Sequence, residues 1–596
     1  MKAPYIPQDA PFSGDQRSWL GGFLAGLHSR AFVGGNGNGE AAPAAAGTAP
    51  AAGTAPVAAS SKPLDILFGT QTGNSEELAN EAAEIAKARG FQPRIEELDA
   101  VDMDRLAGME HLLVVTSTYG EGEMPDNAQI FWDSVSAATA PRLESLNFAV
   151  LALGDTSYEH FCQAGKLIDT RLEQLGANRI AARLDCDVDY EEKATAWLEA
   201  SIPEAGTAVA EPPPAAAAPA AAPKADWSRK NPYPAAVVDN RVLSGPKSAK
   251  EIRHIGFDLA DSGLTYEAGD ALGVIPVNAP DLVEQWLDRL RVDPSTVIPG
   301  KDAPLGELLS TGLEIMTPSK ELIEGLEPLM GDEELSHVLG NGDKAAIDSY
   351  LWGKDALDLM NLDPGVELDP EQIVGWLKPL QYRAYSISSS PNAHAGEVHL
   401  TVAAVRWMNN DREHRGVCST FLADHAPVGS SAGVFMMPNK TFRVPADDTV
   451  PMIMVGPGTG VAPFRAFLEE RRERGSTGTN WLFFGDQTRE QDFIYEDEIS
   501  AMSASGVLTR LDLAFSRDQA EKIYVQHRMK ENGKDLFGQL QEGGYFFVCG
   551  DATRMAKDVD KALHEIVATH GGMTADAATA YVNDLKREKR YVRDVY

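Results

Sequence analysis

Cysteine is scarce in this sequence. Its four cysteines, Cys162, Cys186, Cys418 and Cys549, are spread over 596 residues, and no two of them form a C-x-x-C pair. Disulfide frameworks, zinc sites and iron–sulfur sites need closely spaced cysteines, so this spacing argues against all three and no metal site is predicted. A reducing compartment fits such cysteine usage best, and the predicted location is the cytoplasm.

Long apolar runs and positive charge are lacking as well. The apolar stretch at residues 19–27 falls far short of the roughly 20 residues that cross a membrane. No basic region leads into an apolar one, so no signal peptide is predicted. Lys and Arg number 53 against 88 Asp and Glu, which gives a formal net charge of −35. This charge argues against nucleic acid or an anionic membrane as a partner and favours a basic partner.

Two segments lack the apolar side chains that a core needs. Residues 34–62 and 204–226 are rich in Ala, Pro and Gly, and both are predicted to be linkers. They separate a short N-terminal segment, 1–33, from a block at 63–203 and a large block at 227–596. The 34–62 stretch matches no motif that would give it a further role.

The remaining patterns predict a multidomain α/β fold. Residues 63–203 alternate apolar strands such as "LDILFG" with helical patterns, which is typical of a doubly wound parallel sheet. Residues 227–446 contain short strands with turn signals, interrupted at about 280–375 by a helical and acidic insertion. Strands and helices alternate again over 447–596, which indicates a second doubly wound unit.

Three loops of the 63–203 block follow predicted strands, so they meet at the carboxyl edge of the sheet, where ligands bind. The first, "FGTQTGNSEE", offers hydroxyl and N–H groups at a helix start, which suits a phosphate group. The other two supply glycines for close approach and two aromatic rings. Together they predict a site for a flat phosphorylated ring; tyrosines that only pack the loops are the alternative. The predicted site residues are Thr70, Gln71, Thr72, Gly73, Asn74, Ser117, Thr118, Tyr119, Gly120, Gly122, Gly154, Asp155, Tyr158, Phe161 and Cys162.

The 227–596 block carries three further motifs. "RAYS" offers the guanidinium fork of Arg383 to a pyrophosphate and the ring of Tyr385 to a flavin. "GPGTGVAPFRAF" is a glycine-rich turn that presents Gly458 and Thr459, and it lacks the Lys-Ser/Thr pair of a nucleotide-hydrolysing P-loop. "RGVCSTFL" places N–H and hydroxyl donors at a helix start, at Gly416, Val417, Cys418 and Ser419.

In this order the motifs resemble the diflavin reductase family, over nearly the whole chain. Residues 64–201 are similar to its flavodoxin-like FMN domain, and the later motifs to the FAD barrel and NADP-binding domain of ferredoxin–NADP⁺ reductases. The resemblance implies that the first loop holds the FMN phosphate and that Tyr119 and Tyr158 flank the FMN ring. It also implies that "GPGTG" holds the pyrophosphate of a nicotinamide dinucleotide. The implied cofactors are FMN, FAD and NADPH.

A cluster further along the chain bears on the choice between NADPH and NADH. In "AFSRDQAEKIYVQHRM", Ser516, Arg517 and Lys522 form a hydroxyl-and-cation cluster. Tyr524 can stack on adenine and Gln526 can hydrogen-bond it. Basic residues in this role select the 2′-phosphate of NADPH, whereas an acidic residue would select NADH. An exposed, charged helix start is the alternative interpretation.

The resemblance also implies the residues of the reacting centre. It places Ser386, Cys549 and Asp594 near the nicotinamide, and Asp551 follows in the "CGD" motif. It gives the terminal Tyr596 the role of a cover over the FAD ring, which must swing away to admit the nicotinamide. Without the resemblance, such a cysteine would be interpreted as a buried side chain and such a tyrosine as a frayed end.

The charge of the middle block suggests how electrons leave the protein. Residues 64–201 contain 26 acidic and 10 basic residues, and the acidic run at 185–192 follows a strand beside the predicted flavin. We interpret this surface as a docking site for an electron acceptor, with a solvated face as the alternative. The 204–226 linker would allow the FMN domain to meet FAD and the acceptor in turn.

The two ends of the chain narrow the identity of the acceptor. "PFSGDQRSWLGGFLAG" and "KRYVRDVY" resemble the flavoprotein subunits of bacterial assimilatory NADPH–sulfite reductases. That resemblance implies a sirohaem and iron–sulfur hemoprotein as partner, and oligomerisation through residues 1–33. The alternatives are a diflavin reductase for another soluble acceptor, such as a nitrate or nitrite reductase or a haem monooxygenase, and a non-catalytic electron-carrier module.

Overall fold

The computed structural model describes most of the chain. The predicted N-terminal segment and both predicted linkers, apart from Lys62, lie outside the described residues. The described part folds into three sheets and a separate two-stranded hairpin. No helix within it is long and apolar enough to cross a bilayer. The described residues are 62–71, 73–120, 122–156, 160–203, 227–259 and 261–596, with the backbone alone at Lys344.

The first sheet belongs to residues 63–203, which we call the flavodoxin-like domain. Its strands are β1 (Pro63–Gly69), β2 (Gln92–Glu97), β3 (His111–Ser117), β4 (Asn147–Leu153), β5 (Asn178–Arg179) and β6 (Leu184–Cys186). Its helices are α1 (Asn74–Ala88), α2 (Met103–Ala107), α3 (Gln129–Ser136), α4 (Gln163–Gln174) and α5 (Glu191–Ser201). The parallel strands follow the order β2-β1-β3-β4-β5, with β6 beside β4. Two hydrophobic clusters pack on this sheet, and its central strands are nearly continuous apolar runs for that reason.

A carboxyl group in this domain leads to a prediction about stability. Asp99, in the 3₁₀ turn Leu98–Ala100, accepts a hydrogen bond of 2.8 Å from the N–H of Phe131. Burial raises the pKa of Asp99 to about 6. Because this folded-state pKa exceeds the unfolded value of about 3.9, the carboxyl costs the fold stability as pH rises from about 4 to about 6.

Asp99→Asn keeps a hydrogen-bond acceptor and removes the unfavourable charge. We expect a stabilisation of about 1–3 kcal/mol above pH 6 that shrinks as the pH falls below 6. Urea unfolding of the full chain from pH 5 to pH 8 measures this gain. The control is Asp104→Asn, which changes an exposed carboxyl on α2. A gain for Asp99→Asn that does not vary with pH would contradict the assignment.

Residues 227–446 build an antiparallel barrel. Its strands β7 to β11 are Tyr233–Val242, Glu251–Asp258, Ala271–Ile275, Arg383–Ser386 and Glu397–Ala404. The hairpin β12 (Arg406–Asn409) and β13 (Arg412–Arg415), the short helix that follows it and the strand β14 (Ser431–Met437) complete this region. The barrel strands pair in the order β10-β9-β14-β7-β8-β11. Ile387, directly after β10, bridges Leu400 of β11, so the two end strands meet and the sheet closes.

A helical unit is inserted between β9 and β10. Its helices α6 to α12 are Pro280–Leu290, Leu305–Glu307, Lys320–Met330, Glu333–Asn341, Lys344–Leu351, Ala356–Met360 and Pro370–Trp376. They surround a hydrophobic core of their own, which contains the fully buried Trp286. Part of the acidity of this insertion is explained by capping, because four aspartates accept N–H groups at helix starts. These are Asp332, Asp343, Asp355 and Asp369.

A second doubly wound sheet forms the C-terminal domain. Its strands β15 to β19 are Met452–Val455, Asn480–Asp486, Arg510–Phe515, Tyr545–Gly550 and Tyr591–Val595, in the order β17-β16-β15-β18-β19. The short helix α13 (Val417–Thr420) belongs to the barrel region, where it follows β13. The helices of the C-terminal domain, α14 to α20, are Ala462–Arg474, Arg489–Asp492, Glu496–Ala504, Val525–Glu531, Gly533–Gln541, Met555–Gly571 and Ala575–Arg587. Tyr596 directly follows the edge strand β19. The predicted multidomain α/β fold is confirmed.

Candidate functional site

The loop between β1 and α1 has the geometry of an anion site. The N–H of Thr70 donates to Asn127 Oδ1 at 2.8 Å, and the N–H of Gly73 donates to Thr70 Oγ1 at 2.9 Å. Gly73 has a φ of 90°, which favours glycine. Asn74 then begins α1, whose first N–H groups have no acceptor within the helix. These N–H groups suit a phosphate.

Ser75 belongs to this loop region, although the sequence analysis did not identify it. Its hydroxyl lies in the first turn of α1, is fully buried and has no hydrogen-bond partner among the described residues. Such an unpartnered buried group costs about 1–3 kcal/mol, which a phosphate on this turn would offset. The sequence offered one signal for Ser75, because it directly follows Asn74, which was predicted to belong to the phosphate site. Gln71 also lies in the loop, where its side-chain oxygen accepts the N–H of Asp126 at 3.3 Å, whereas Thr72 is outside the described residues.

The second and third loops lie together at the same edge of the sheet. The N–H of Thr118 donates to the carbonyl of Leu153 at 3.0 Å, and the Thr118 hydroxyl oxygen accepts the N–H of Ala164 at 3.2 Å. Tyr158 lies outside the described residues, so Tyr119 alone represents the predicted pair of rings. The other predicted residues here are Ser117, which donates to Gly69; Gly120 and Gly122, with positive φ; Gly154, which donates to Cys186; Asp155, beside Lys378; Phe161, under Lys166; and the buried Cys162.

In the barrel, the "RAYS" strand and the "GVCS" helix are neighbours. Tyr385 in β10 packs against the core cluster that contains Cys418 of α13, and burial raises the pKa of the Cys418 thiol to about 12. The Ser419 hydroxyl accepts the N–H of Val405 at 3.2 Å, at the start of the helix where Gly416 and Val417 also lie. The guanidinium of Arg383 is exposed, 3.7 Å from Glu314. The structure therefore brings the two motifs together. Arg383 Nη1 also donates to the carbonyls of Gln381 and Tyr382 at 3.1 Å, so a pyrophosphate bound to this fork would have to replace these contacts.

The glycine-rich turn of the C-terminal domain passes close to the end of β18. A Cβ atom at Gly460 would lie 2.1 Å from the carbonyl oxygen of Cys549, so no larger residue fits there without a backbone shift. Gly458 has a φ of 59°, in the region that favours glycine. The Thr459 hydroxyl is 2.6 Å from the hydroxyl of Tyr596. The turn thus reaches the last residue of the chain.

Ser386, Cys549 and Asp594 converge from three strands. The Ser386 hydroxyl donates to Asp594 Oδ2 at 2.6 Å, and Cys549 Sγ lies 3.9 Å from the same oxygen. Burial raises the pKa of the Asp594 carboxyl and of the Cys549 thiol. The thiol is therefore uncharged at neutral pH. Asp551 follows closely in the chain, where its carboxylate accepts the N–H and the hydroxyl of Thr553.

A cavity of about 480 Å³ joins these features. The residues predicted for the FMN phosphate and those predicted for the FAD ring line this same cavity. Tyr596 remains 61% exposed, so its ring is available to a ligand. The lining includes Thr70 and Gln71 of the flavodoxin-like domain, Tyr385 and Ser386 of the barrel, and Thr459, Asp594 and Tyr596 of the C-terminal domain.

The residues predicted to select NADPH follow β17. The N–H groups of Ser516 and Arg517 donate to the carbonyls of Asp486 and Gln487 at 2.9 and 2.7 Å, which fixes this turn. The side chains of Arg517 and Lys522 are exposed and accessible to an anionic ligand. Tyr524 is also exposed. The Gln526 amide donates to Asp558 Oδ2 at 3.0 Å, so a bond from Gln526 to adenine would require this contact to open.

The ion pairs that join the flavodoxin-like domain to the rest of the chain all have the same arrangement of charges. Within the described part of the chain, the carboxylate of every such pair lies on the flavodoxin-like domain. The acidic surface that was interpreted as an acceptor's docking site is thus partly covered by basic residues of the same chain. No local pattern marked these basic residues, because domain docking alone brings the partners together. The pairs are Glu76–Lys440, Glu97–Lys589, Glu123–Lys557, Asp126–Arg593, Asp155–Lys378, Asp187–Lys378 and Glu191–Arg229.

Comparison with protein families assigns a known domain to each of these regions. The flavodoxin family matches residues 66–197, the FAD binding domain family matches residues 225–421, and the oxidoreductase NAD-binding domain family matches residues 454–561. Together with the geometry above, these matches define the class of the protein. It is an NADPH-dependent diflavin oxidoreductase that uses FMN, FAD and NADPH.

Relatives of known name narrow the family further. The chain is 44% identical to the sulfite reductase (NADPH) flavoprotein alpha-component of Bacillus subtilis (strain 168), over 98% of the chain and 95% of that protein. Proteins of the same name from Vibrio parahaemolyticus and Vibrio cholerae are 40% and 42% identical, over 98% and 90% of the chain and 93% and 88% of their own lengths. The chain belongs to the family of NADPH–sulfite reductase flavoprotein alpha-components, which confirms the predicted resemblance.

Proposed function

We propose that this protein delivers electrons from NADPH to a sirohaem and iron–sulfur hemoprotein that reduces sulfite to sulfide. The observation that carries the proposal is the shared cavity, where the first loop of the flavodoxin-like domain lies beside Tyr385, Ser386 and Tyr596. Such a cavity suits the passage of electrons from one flavin to the other within a single chain. The names of the relatives support the identity of the acceptor.

The bound cofactors would supply the redox chemistry, since FAD accepts the electron pair of NADPH and FMN passes electrons on singly. The residues of the chain place and shield these groups. Asp594 holds the Ser386 hydroxyl and faces the Cys549 thiol, so the three present a fixed polar surface to the nicotinamide. Because the Ser386 hydroxyl and the Asp594 carboxylate hold each other in place, their dipoles are preorganised and need no rearrangement during the reaction. Tyr596 covers the FAD ring.

We assign the remaining predicted residues by cofactor. The FMN site comprises Thr70 to Asn74, Ser75, Ser117 to Gly120, Gly122, Gly154, Asp155, Tyr158, Phe161 and Cys162. The FAD site comprises Arg383, Tyr385, Ser386, Gly416 to Ser419 and Tyr596. The NADPH site comprises Gly458, Thr459, Ser516, Arg517, Lys522, Tyr524, Gln526 and Asp551. The proposed domain boundaries are 63–203, 227–446 and 447–596, with linkers at 34–62 and 204–226.

The acceptor would use the same acidic surface that now faces the chain's own basic residues. Docking of the hemoprotein therefore requires the flavodoxin-like domain to leave the rest of the chain, as the 204–226 linker would allow. We further assign oligomerisation to residues 1–33 and place the protein in the cytoplasm. All four cysteines are free, in keeping with a reducing compartment.

The test is anaerobic NADPH oxidation in the presence of the sirohaem hemoprotein of the source organism, with sulfide measured after sulfite is added. We expect sulfide with NADPH, and at least about tenfold less with NADH. A non-specific electron-accepting dye serves as the control for reductase activity. Reduction of the dye without sulfide would overturn the proposed acceptor and favour a diflavin reductase for another soluble protein.

A further inference from the structure

The edge strand β19 carries Asp594 of the proposed reacting centre, is followed directly by Tyr596, and also contacts the flavodoxin-like domain. The Asp594 side chain accepts the Ser386 hydroxyl, and the Tyr596 hydroxyl meets Thr459. Between them, the carbonyl of Val595 accepts a hydrogen bond of 2.9 Å from the Tyr119 hydroxyl of the flavodoxin-like domain. An edge strand presents unpaired backbone groups, and this contact occupies one of them.

The neighbouring residue of β19 is held as well. Arg593 forms an ion pair with Asp126 of the flavodoxin-like domain, with Arg593 Nε 3.3 Å from Asp126 Oδ2. Both side chains are only 25% exposed. Because a half-buried ion pair is less screened than a surface pair, its loss should be measurable. Just before β19, Lys589 forms an ion pair with Glu97.

Other docking contacts lie away from β19. Glu76, Asp187 and Glu191 pair with Lys440, Lys378 and Arg229, which belong to the barrel region and its insertion. One further pair, Glu123–Lys557, reaches α19 of the C-terminal domain. The rest of the docking surface has two parts. One part attaches the flavodoxin-like domain to the barrel region. The other part, formed by Tyr119, Asp126 and Glu97, holds β19, whose last residue Val595 is followed by Tyr596.

We infer that the docked flavodoxin-like domain clamps the end of β19 through Asp126 and Tyr119, and so keeps Tyr596 in place over the FAD site. This inference rests on the proposed role of Tyr596 as the cover. While the domain is docked, the end of β19 cannot move, so Tyr596 stays over the FAD site and the nicotinamide cannot enter. Once the domain leaves, the strand end is released. Reduction by NADPH and delivery of electrons to the flavodoxin-like domain would therefore alternate, and Asp126 acts as a positioning residue through Arg593.

The first test measures the clamp without any turnover. Hydrogen–deuterium exchange of the peptide 588–596 is followed in the full chain loaded with FMN and FAD. Asp126→Asn should raise the exchange rate of this peptide at least about threefold, and Tyr119→Phe, which removes only the hydroxyl that reaches Val595, should raise it too. The matched control is Glu191→Gln, which breaks an ion pair of similar exposure, 30% on each side, away from β19. It should change the rate less than twofold.

The second test measures the consequence for the reaction. In stopped-flow experiments, Asp126→Asn should increase the rate at which NADPH bleaches the FAD absorbance by about threefold to fivefold, and Glu191→Gln should not. Raised salt should also increase the wild-type rate, because the more exposed ion pairs that hold the docked domain are screened. A slower or unchanged FAD reduction in Asp126→Asn, or an unchanged exchange rate, would overturn the inference. Failure of the wild-type chain to oxidise NADPH would instead refute the proposed function, and the exchange experiment would still test the clamp.

Discussion

Asp594→Asn is expected to slow the reduction of FAD by NADPH by about a hundredfold, in line with the loss of a preorganised electrostatic group. Asp594 is the acceptor of the Ser386 hydroxyl and the closest carboxylate to the Cys549 thiol. An amide can present an NH₂ group to Ser386 in place of an oxygen, which misorients the hydroxyl. The substitution also removes a negative charge, which stabilises the positive charge that the nicotinamide ring gains as it gives up its hydride.

Stopped-flow absorbance measures the rate of FAD reduction. Equilibrium binding of NADP⁺ measures the affinity for the nucleotide, which should change little in the variant. The pH profile adds a readout that a general loss of structure would not produce. Burial raises the pKa of Asp594, so the wild-type rate should fall as the pH decreases through that raised value. This acid limb should vanish in Asp594→Asn. The control Asp576→Asn, at the exposed start of α20, should be unaffected. A decrease of less than threefold for Asp594→Asn would refute the role.

Arg517→Glu is expected to lower kcat/KM for NADPH by about a hundredfold or more and to leave kcat/KM for NADH within a few-fold. A charge-assisted hydrogen bond to the 2′-phosphate contributes about 1.5–3 kcal/mol, and reversal of the charge adds repulsion. The turn that holds Arg517 is fixed by backbone hydrogen bonds, so the side chain can change without loss of the fold. NADH has no 2′-phosphate and provides the internal comparison.

Steady-state rates with both nucleotides and a dye acceptor test this expectation. Lys534→Glu is the matched control, because it reverses another exposed positive charge in the same domain, on α18. It should change both values less than twofold. Equal losses with NADPH and NADH in Arg517→Glu would show that the residue supports the fold or a shared part of the dinucleotide, and not the 2′-phosphate.

Much of the architecture could be predicted because the relevant signals are local. Continuous apolar runs mark β1, β3 and β4 as strands covered on both faces, and the loops after parallel strands must share one edge. The glycine-rich turn at 458–460 is likewise visible in the sequence itself, and the structure explains one of its glycines, since a side chain at Gly460 would meet the backbone of β18. The class of protein was predicted from the resemblance that these motifs, taken in order, bear to the diflavin reductase family.

Other features could not be predicted because they depend on how separate parts of the chain pack. The bond between Tyr119 and Val595 joins residues 476 positions apart, and no pattern near either residue indicates it. The burial of the Ser75 hydroxyl depends on the packing around α1, and the engagement of Gln526 by Asp558 depends on α19. Charge composition indicated an acidic docking surface but not that the chain's own basic residues would cover part of it.

The closure of the barrel has a consequence for how this architecture can vary. Strands β9 and β10 are directly paired neighbours, yet 276–382 runs between them as a folded unit with its own core. For the entropy of chain closure, this unit counts as a long loop between two paired strands. Doubling the length of such a loop raises the free-energy cost of closing it by only about 0.6 kcal/mol. It can therefore be lengthened, shortened or exchanged without disturbing the register of the flavin-binding strands. Lys378 lies at the end of the inserted unit and forms an ion pair with Asp187 of the flavodoxin-like domain. A change in the inserted unit would therefore alter how the flavodoxin-like domain is positioned against the barrel.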